Sequence, residues 1–314
     1  MTGRTSRLAP SPTGALHLGN ARTFAINWAL AQQHNWTMLL RIEDLDHPRV
    51  KPETINQARE DLAWLGLTWD TETPIQSTDV GPCRAAFRTL ASSGRVFPCD
   101  LSRKEVQAAQ SAPHDNYDGM RYEPTLRPAD AGRPWNEPDE TRTWRFLVDD
   151  REHTVNDRVS GTHTFNLGRS IGDFPVWTSQ GPAYQLAIVV DDARQGVTDV
   201  VRGNDLLSSA ARQQAIATAL GLDSPRWWHL PLVRGEDGRR LAKRHGDTRI
   251  SSFRAAGVPT ERVIGLLASW CGVGDQTDPQ PMDAAEFAAT VEISTIPTDD
   301  AVLTARNIQW LTDC

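Results

Sequence analysis

The sequence predicts an α/β fold organised around a parallel sheet, and three observations carry that prediction. First, the stretch "RLAPSPTGALHLGNAR" (residues 7–22) sets a proline- and glycine-rich turn between a short apolar start and a helix with apolar periodicity. Second, residues 38–42 read as a buried strand, and Ile55, Ala58, Leu62 and Leu65 line one face of a second helix. Third, after a long interruption, strand-like residues 197–201 again run into a helix. Strands alternating with helices favour parallel pairing, because parallel strands need a crossover connection.

Taken in order, Pro10, Pro12, Gly14, His17 and Gly19 form a rigid turn before a helix in which Ala21, Phe24, Ala25, Trp28 and Ala29 recur at helical spacing. Proline fixes φ and glycine lets a ligand approach the backbone, so the turn suits a phosphate held at a helix N-terminus. The strand at 38–42 ends in "EDLDH", Pro52 opens the next helix and Gly66 stops it. Between residues 97 and 143 periodicity fails while prolines, glycines and charges accumulate, which marks an insertion. Regular pattern resumes at 144–148, and residues 197–201 lead through "RGNDLL" into a helix carrying Leu206, Ala210, Ala217 and Leu220, stopped by Gly221. From Ser251 onward the chain reads as helical and is expected to pack as a small appended domain. The division is 1–96 for the first half of the α/β domain, 97–175 for the insertion, 176–250 for the second half and 251–314 for a helical C-terminal region.

With 314 residues, 39% of them hydrophobic, the chain can bury a sizeable core. Its net charge of -7 argues against indiscriminate nucleic-acid binding and leaves room for a basic patch on one face. No signal-peptide pattern opens it and no apolar run reaches membrane-spanning length, so a cytoplasmic protein is expected, with no obligate protein partner evident. Cys83, Cys99, Cys271 and Cys314 lack paired spacing, which predicts reduced thiols and no intact cysteine-rich zinc site.

Four clusters can carry chemistry. Alone, His17 would be an ordinary satisfied histidine, but its turn sits where open parallel sheets bind nucleotides. In "RIEDLDH", Glu43, Asp44 and Asp46 fall at a strand end; any one of them could be a solvated cap, and Glu43 is the candidate to hold a substrate ammonium. "AYQLAIVVDDARQGVTDVVRGNDLL" sets Tyr184, Asp191, Asp192 and Arg202 around apolar strand material. Arg202 is suited to bidentate capture of a carboxylate, although it could merely pair with Asp205. "GEDGRRLAKRHGD" is a glycine-bracketed basic loop whose Arg239, Arg240, Lys243 and Arg244 point to polyanions. Lys243 could close onto a triphosphate there.

In this order, the clusters resemble the catalytic half of a class I aminoacyl-tRNA synthetase of the glutamyl type, which implies a Rossmann-type parallel-sheet catalytic domain. "HLGN" (His17, Leu18, Gly19, Asn20) is similar to the His-Ile-Gly-His signature, and "RLAKR" (Arg240 to Arg244) to the mobile Lys-Met-Ser-Lys-Ser loop. "RLAPSPTG", "RIEDLD", "YQLAIVVDD" and "VVRGNDLL" resemble the glutamate-specific subgroup. The resemblance implies that Arg7, Ala9, Ser11, Glu43, Tyr184 and Arg202 bind glutamate, with Glu43 on its ammonium. It implies that Gly14, His17, Gly19, Asn20, Arg240 and Lys243 bind ATP, with His17 and Lys243 catalytic. Mg²⁺ should screen the phosphates, although no dedicated metal ligand can be read. The insertion would be an acceptor-binding-like subdomain. The chain ends soon after the basic loop, with no large anticodon-binding region, as in a truncated paralogous group that activates L-glutamate without tRNA and attaches it to the queuosine base of tRNA(Asp). A short enzyme charging the tRNA 3′ end and a noncatalytic nucleotide- or RNA-binding paralogue stay open as alternatives.

Some positions depart from the family pattern. Asn20 replaces the last histidine of the signature and Ala242 replaces a serine of the mobile loop. Many members bind zinc through three cysteines and a tyrosine of the insertion; here Cys99 and Tyr117 stand at two of those places, with Leu101 and Arg121 at two cysteine positions. A structural zinc needs about four ligands, so zinc is expected to be absent.

Overall fold

The computed structural model describes residues 3–45, 50–108, 121–241 and 247–313. In chain order, β1 (Thr5–Leu8), α1 (Leu18–His34), β2 (Thr37–Leu40), α2 (Pro52–Trp64) and β3 (Thr71–Glu72) form the first half of the layout the sequence predicts. Next come α3 (Gly81–Ser92), β4 (Val96–Cys99), α4 (Arg103–Ala108), β5 (Thr143–Phe146), β6 (Glu152–Asp157), β7 (Gly161–Asn166), α5 (Leu167–Ser170), β8 (Phe174–Thr178) and β9 (Gly181–Pro182). The second half holds α6 (Tyr184–Arg194), β10 (Asp199–Gly203), α7 (Leu207–Leu220), β11 (Arg226–Leu230) and β12 (Val233–Gly235). The chain closes with α8 (Ile250–Ala255), α9 (Thr260–Ser269), α10 (Ala284–Thr290), β13 (Ala301–Leu303) and α11 (Ala305–Thr312).

β1 pairs in parallel with β2, with Ser6 opposite Met38 and Leu8 opposite Leu40, and β2 pairs in parallel with β3. On the other side of β1 lies β10. The Thr198 amide donates to the Thr5 carbonyl at 2.9 Å and the Ser6 hydroxyl donates to the Asp199 carbonyl at 2.9 Å. β10 in turn pairs in parallel with β11. The strand order is therefore β3-β2-β1-β10-β11, and chain direction around the sheet reverses between β1 and β10.

Side chains on successive strand residues leave opposite faces, and the two cores follow that period. Met38 and Leu40 enter the core that α1 builds, while Leu39 enters the core built by α3, α6 and α7. Val201 and Trp228 go with the first core, and Val200 and Trp227 with the second. Both faces of the sheet are thus covered, which is why β10 and β11 are buried nearly throughout, their polar residues Asp199, Arg202 and His229 included.

The structure differs from the sequence reading in two places. Val263, Ile264, Leu266, Phe287 and Leu311 of the C-terminal helices join the same core as Ala21 and Ala25 of α1. Gln33 of α1 also donates to the carbonyls of Ala288 and Val291, at 2.8 and 2.6 Å. These helices therefore complete one face of the sheet, where the sequence suggested a small appended unit. The insertion also divides: β4, β5, β8 and β9 form an antiparallel sheet, while the β6–β7 hairpin extends the main sheet through Asp157, which lies opposite Trp227 of β11.

Candidate active site

An open parallel sheet presents its crevice at the carboxyl ends of the strands where the winding reverses, because helix N-termini and loops diverge there. At that point, between β1 and β10, lies a cleft of about 640 Å³. Arg7, Ala9, Ser11, Glu43, Tyr184 and Arg202 line it. So do Gly14, His17, Gly19, Asn20 and Arg240. Of the predicted site residues only Lys243 is missing from this group, and it lies outside the described residues, as do Asp46, Tyr117, Ala242 and Arg244.

His17 is the N-cap of α1. Its Nδ1 accepts from the Gly19 and Asn20 amides at 3.1 and 3.3 Å, and Asn20 Oδ1 accepts in turn from the His17 amide. With Nδ1 committed as an acceptor, the neutral ring carries its proton on Nε2. Burial lowers the His17 pKa and favours that neutral form. A Cβ on Gly19 would stand 3.0 Å from His17 Cε1, so the ring would have to give by a few tenths of an ångström, whereas a Cβ on Gly14 would meet no atom within 4 Å.

Beyond the turn, Arg7, Arg41, Glu43 and Asp192 form a charge network. Asp192 Oδ1 receives Arg7 Nε at 3.1 Å and Arg41 Nη1 at 2.7 Å, and Arg41 donates twice to Glu43 Oε1, at 3.2 and 2.9 Å. Against its burial, Arg7 and Arg41 hold Asp192 below the usual carboxylate range. Glu43 goes the other way, because burial outweighs the pull of Arg41 and Arg7 and raises its pKa. Sequence reasoning did not single out Arg41 and placed Asp192 only near the site, since nothing local marks a pairing between residues so far apart in the chain. Asp44 serves elsewhere, accepting from the Ser77 amide and hydroxyl.

Arg202 does not pair with Asp205. Its Nε donates to His229 Nε2 at 3.0 Å, Nη1 to Gln213 Oε1 at 2.9 Å and Nη2 to the Leu206 carbonyl at 3.2 Å, and its guanidinium lies over the Trp227 ring. All three acceptors are neutral. Three guanidiniums (Arg7, Arg41, Arg202) thus face two carboxylates (Glu43, Asp192), leaving one positive charge on the cleft wall. Asp205 instead pairs with Arg240 at 2.7 Å.

Of the degenerate zinc positions, Cys99, Leu101 and Arg121 lie among the described residues and Tyr117 does not. Tyr122, which the sequence reading passed over, stands beside Cys99, its hydroxyl 3.7 Å from the sulfur. Arg145 Nε donates to Cys99 Sγ at 3.3 Å, and its guanidinium lies over the Tyr122 ring. Arg121 donates to the Gly168 carbonyl. A guanidinium beside the one thiol of this cluster does not fit a zinc site, because zinc needs several deprotonated ligands around it. Among the described residues no group of three or more His, Cys, Asp or Glu could hold a metal ion, and no helix is long and apolar enough to cross a membrane.

The catalytic domain of the tRNA synthetases class I (E and Q) is matched over residues 4–310. The chain belongs to this family. Among class I (E and Q) relatives, the glutamyl-Q tRNA(Asp) synthetase of Rhodopirellula baltica is 44% identical over 291 residues, 88% of either chain. The glutamyl-Q tRNA(Asp) synthetase of Symbiobacterium thermophilum is 41% identical over 97% of either chain. Glutamate–tRNA ligase 1 of Cereibacter sphaeroides (strain ATCC 17029) is 37% identical over 88% of this chain, which spans 59% of that ligase. In fold, the chain matches the glutamate-tRNA synthetase of Elizabethkingia anophelis with a TM-score of 0.80 at 23% identity, covering 98% of this chain and 70% of that one. The class I assignment agrees with the parallel sheet and with the crevice at its winding reversal.

Proposed function

We propose that the protein activates L-glutamate with ATP in the absence of tRNA and transfers the glutamyl group to the queuosine base of tRNA(Asp). The observation that carries the amino-acid part is Arg202, a buried guanidinium held only by neutral acceptors, facing the same cleft as Glu43. Glutamate carries two carboxylates and one ammonium, so its net charge of about -1 at neutral pH complements the residual positive charge of the wall. Glu43 Oε2 accepts no hydrogen bond among the described residues and suits the ammonium. The side-chain carboxylate belongs on Arg202, because the α-carboxylate must stay free to reach phosphorus.

ATP enters as its magnesium complex, with the ion screening the phosphates. The α-carboxylate oxygen attacks the α-phosphorus, the bond to the β-phosphate breaks, and glutamyl-adenylate and pyrophosphate form. Neutral His17 donates a hydrogen bond from Nε2–H to the phosphates at the turn that opens α1 and keeps its proton, and Lys243 adds positive charge from the basic loop. A queuosine hydroxyl then attacks the acyl carbon, AMP leaves, and the glutamyl group is joined to the base. Arg239, Arg240 and Arg244 supply phosphate contacts to the RNA. The queuosine acceptor is favoured over the tRNA 3′ end by relatives matched along nearly their whole length that bear the glutamyl-Q name. Glutamate-dependent pyrophosphate exchange without tRNA tests the activation step, and strict dependence on tRNA would contradict it.

A further inference from the structure

We infer that His229, oriented by Asp157, is a positioning residue that holds Arg202 toward the cleft while leaving its charge for the substrate. This rests on the glutamate reading above. Of the other buried guanidiniums, Arg7 and Arg41 take the carboxylate of Asp192, whereas Arg22 and Arg145, away from the cleft, are held by carbonyls and, for Arg145, the Cys99 sulfur. Arg202 alone of those without a carboxylate lines the cleft among the described residues. Arg202 is equally buried, yet no carboxylate among the described residues lies within ion-pair distance of it. A carboxylate ligand would gain little from a guanidinium already neutralised by the protein, whereas one held by neutral acceptors keeps its full attraction in a poorly solvated site.

Arg202 reaches Asp157 only through an imidazole, which touches both. His229 is fully buried, with Nδ1 2.6 Å from Asp157 Oδ2 and Nε2 3.0 Å from Arg202 Nε. Asp157 Oδ1 is occupied by the Val159 and Ser160 amides and the Ser160 hydroxyl, and the His229 amide donates to Oδ2. Asp157 is thus an acceptor on both oxygens, so His229 carries its proton on Nδ1 and offers the Nε2 lone pair to Arg202. Burial, against the pull of Asp157, lowers the His229 pKa to about 4, so the ring stays neutral near pH 7. Gln213 works in the same sense from α7, its oxygen on Arg202 Nη1. The strand-to-strand pairing of β6 with β11 at Asp157 and Trp227 brings the aspartate to this place.

The test compares His229→Leu, His229→Gln and Asp157→Asn in the full chain. Leucine removes the acceptor; glutamine supplies an amide oxygen in its place. In Asp157→Asn the oxygen must serve the Val159, Ser160 and His229 amides, all of which reach the Oδ1 position, so the amide nitrogen faces His229 Nδ1 and moves the ring proton to Nε2, against Arg202. Pyrophosphate exchange should show the glutamate KM raised about 10- to 100-fold in His229→Leu and Asp157→Asn, with the ATP KM near wild type and most of the loss recovered in His229→Gln. Nitrogen NMR of ¹⁵N-histidine-labelled protein should place the proton on Nδ1 in the wild type and on Nε2 in Asp157→Asn. If His229→Leu does not fold, the two near-isosteric variants decide the matter. A glutamate KM unchanged in the folded variants, glutamate and ATP KM rising together, or a wild-type proton on Nε2 would overturn the inference. A wild-type protein that fails to bind glutamate at all would overturn the functional reading instead.

Discussion

The Leu18 amide donates to the carbonyl of Thr248 at 3.0 Å, and the Ile250 amide returns the bond to Leu16 at 2.8 Å. The turn that opens α1 and the segment that follows the basic loop are thereby joined by one antiparallel bridge, His17 to Arg249. The loop's other end is braced by β12, which pairs with β13, and by the ion pair of Arg234 with Asp300. The described segments on either side of residues 242–246 are therefore fixed beside the turn that opens α1. Lys243→Ala should lower turnover in pyrophosphate exchange by about 10² to 10³, as for loss of a transition-state charge contact. Near-normal turnover would mean that Arg240 or Arg244 supplies that charge.

Gly14 and Gly19 separate ligand approach from protein packing. Gly19→Ala should displace the His17 ring by a few tenths of an ångström and lower turnover, read by exchange assay, with little change in melting temperature because alanine also favours the helix. Gly14→Ala meets no protein atom, so its melting temperature should match the wild type while the ATP KM rises. An unchanged ATP KM would show that the nucleotide does not approach there.

Arg202→Leu should weaken glutamate far more than ATP, because the guanidinium is assigned to the amino acid's carboxylate. Calorimetric titration with each ligand checks this, and equal weakening of both would show a misassigned pocket.

Glu43 gives a pH dependence of definite sign. Its carboxylate holds the ammonium only when ionised, and burial raises its pKa. Glutamate affinity should therefore fall as pH drops, beginning above the range of an exposed glutamate near 4.3. Glu43→Gln should weaken glutamate and flatten that dependence. A wild-type profile with no inflection on the acid side would count against Glu43 as the ammonium ligand.

Much of this was legible in the sequence where local chemistry decides the outcome. Gly66 and Gly221 end helices as read, and both take positive φ, +77° and +68°, which glycine adopts at low cost. The strand at residues 38–42 and the turn before α1 were readable for the same reason. What was not legible depends on contacts distant in sequence. The pairing of Arg41 with Asp192 and the seat of Arg202 on His229 and Asp157 arise only when separate strands come together. Likewise Tyr122 comes beside Cys99 from a segment bridged to Gly172, far away in sequence, and amphipathic C-terminal helices look alike whether they build their own core or complete another.

Metal content follows from the Cys99 cluster. Purified, untagged protein should contain well under one equivalent of zinc, and Arg145→Leu should lower the melting temperature by unpairing the buried sulfur and the Asp173 carbonyl. Stoichiometric zinc that survives dialysis would show that residues outside this cluster complete a site.

The central claim is the destination of glutamate, and one measurement tests it most directly. The protein is incubated with ATP, radiolabelled glutamate and tRNA(Asp) carrying either queuosine or guanosine in the anticodon, and the label is located by nuclease digestion. Label on the queuosine nucleotide, with none on the guanosine-containing tRNA, is the predicted result. Equal labelling of both tRNAs, or label at the 3′-terminal adenosine, would contradict it and assign the protein to ordinary charging of tRNA.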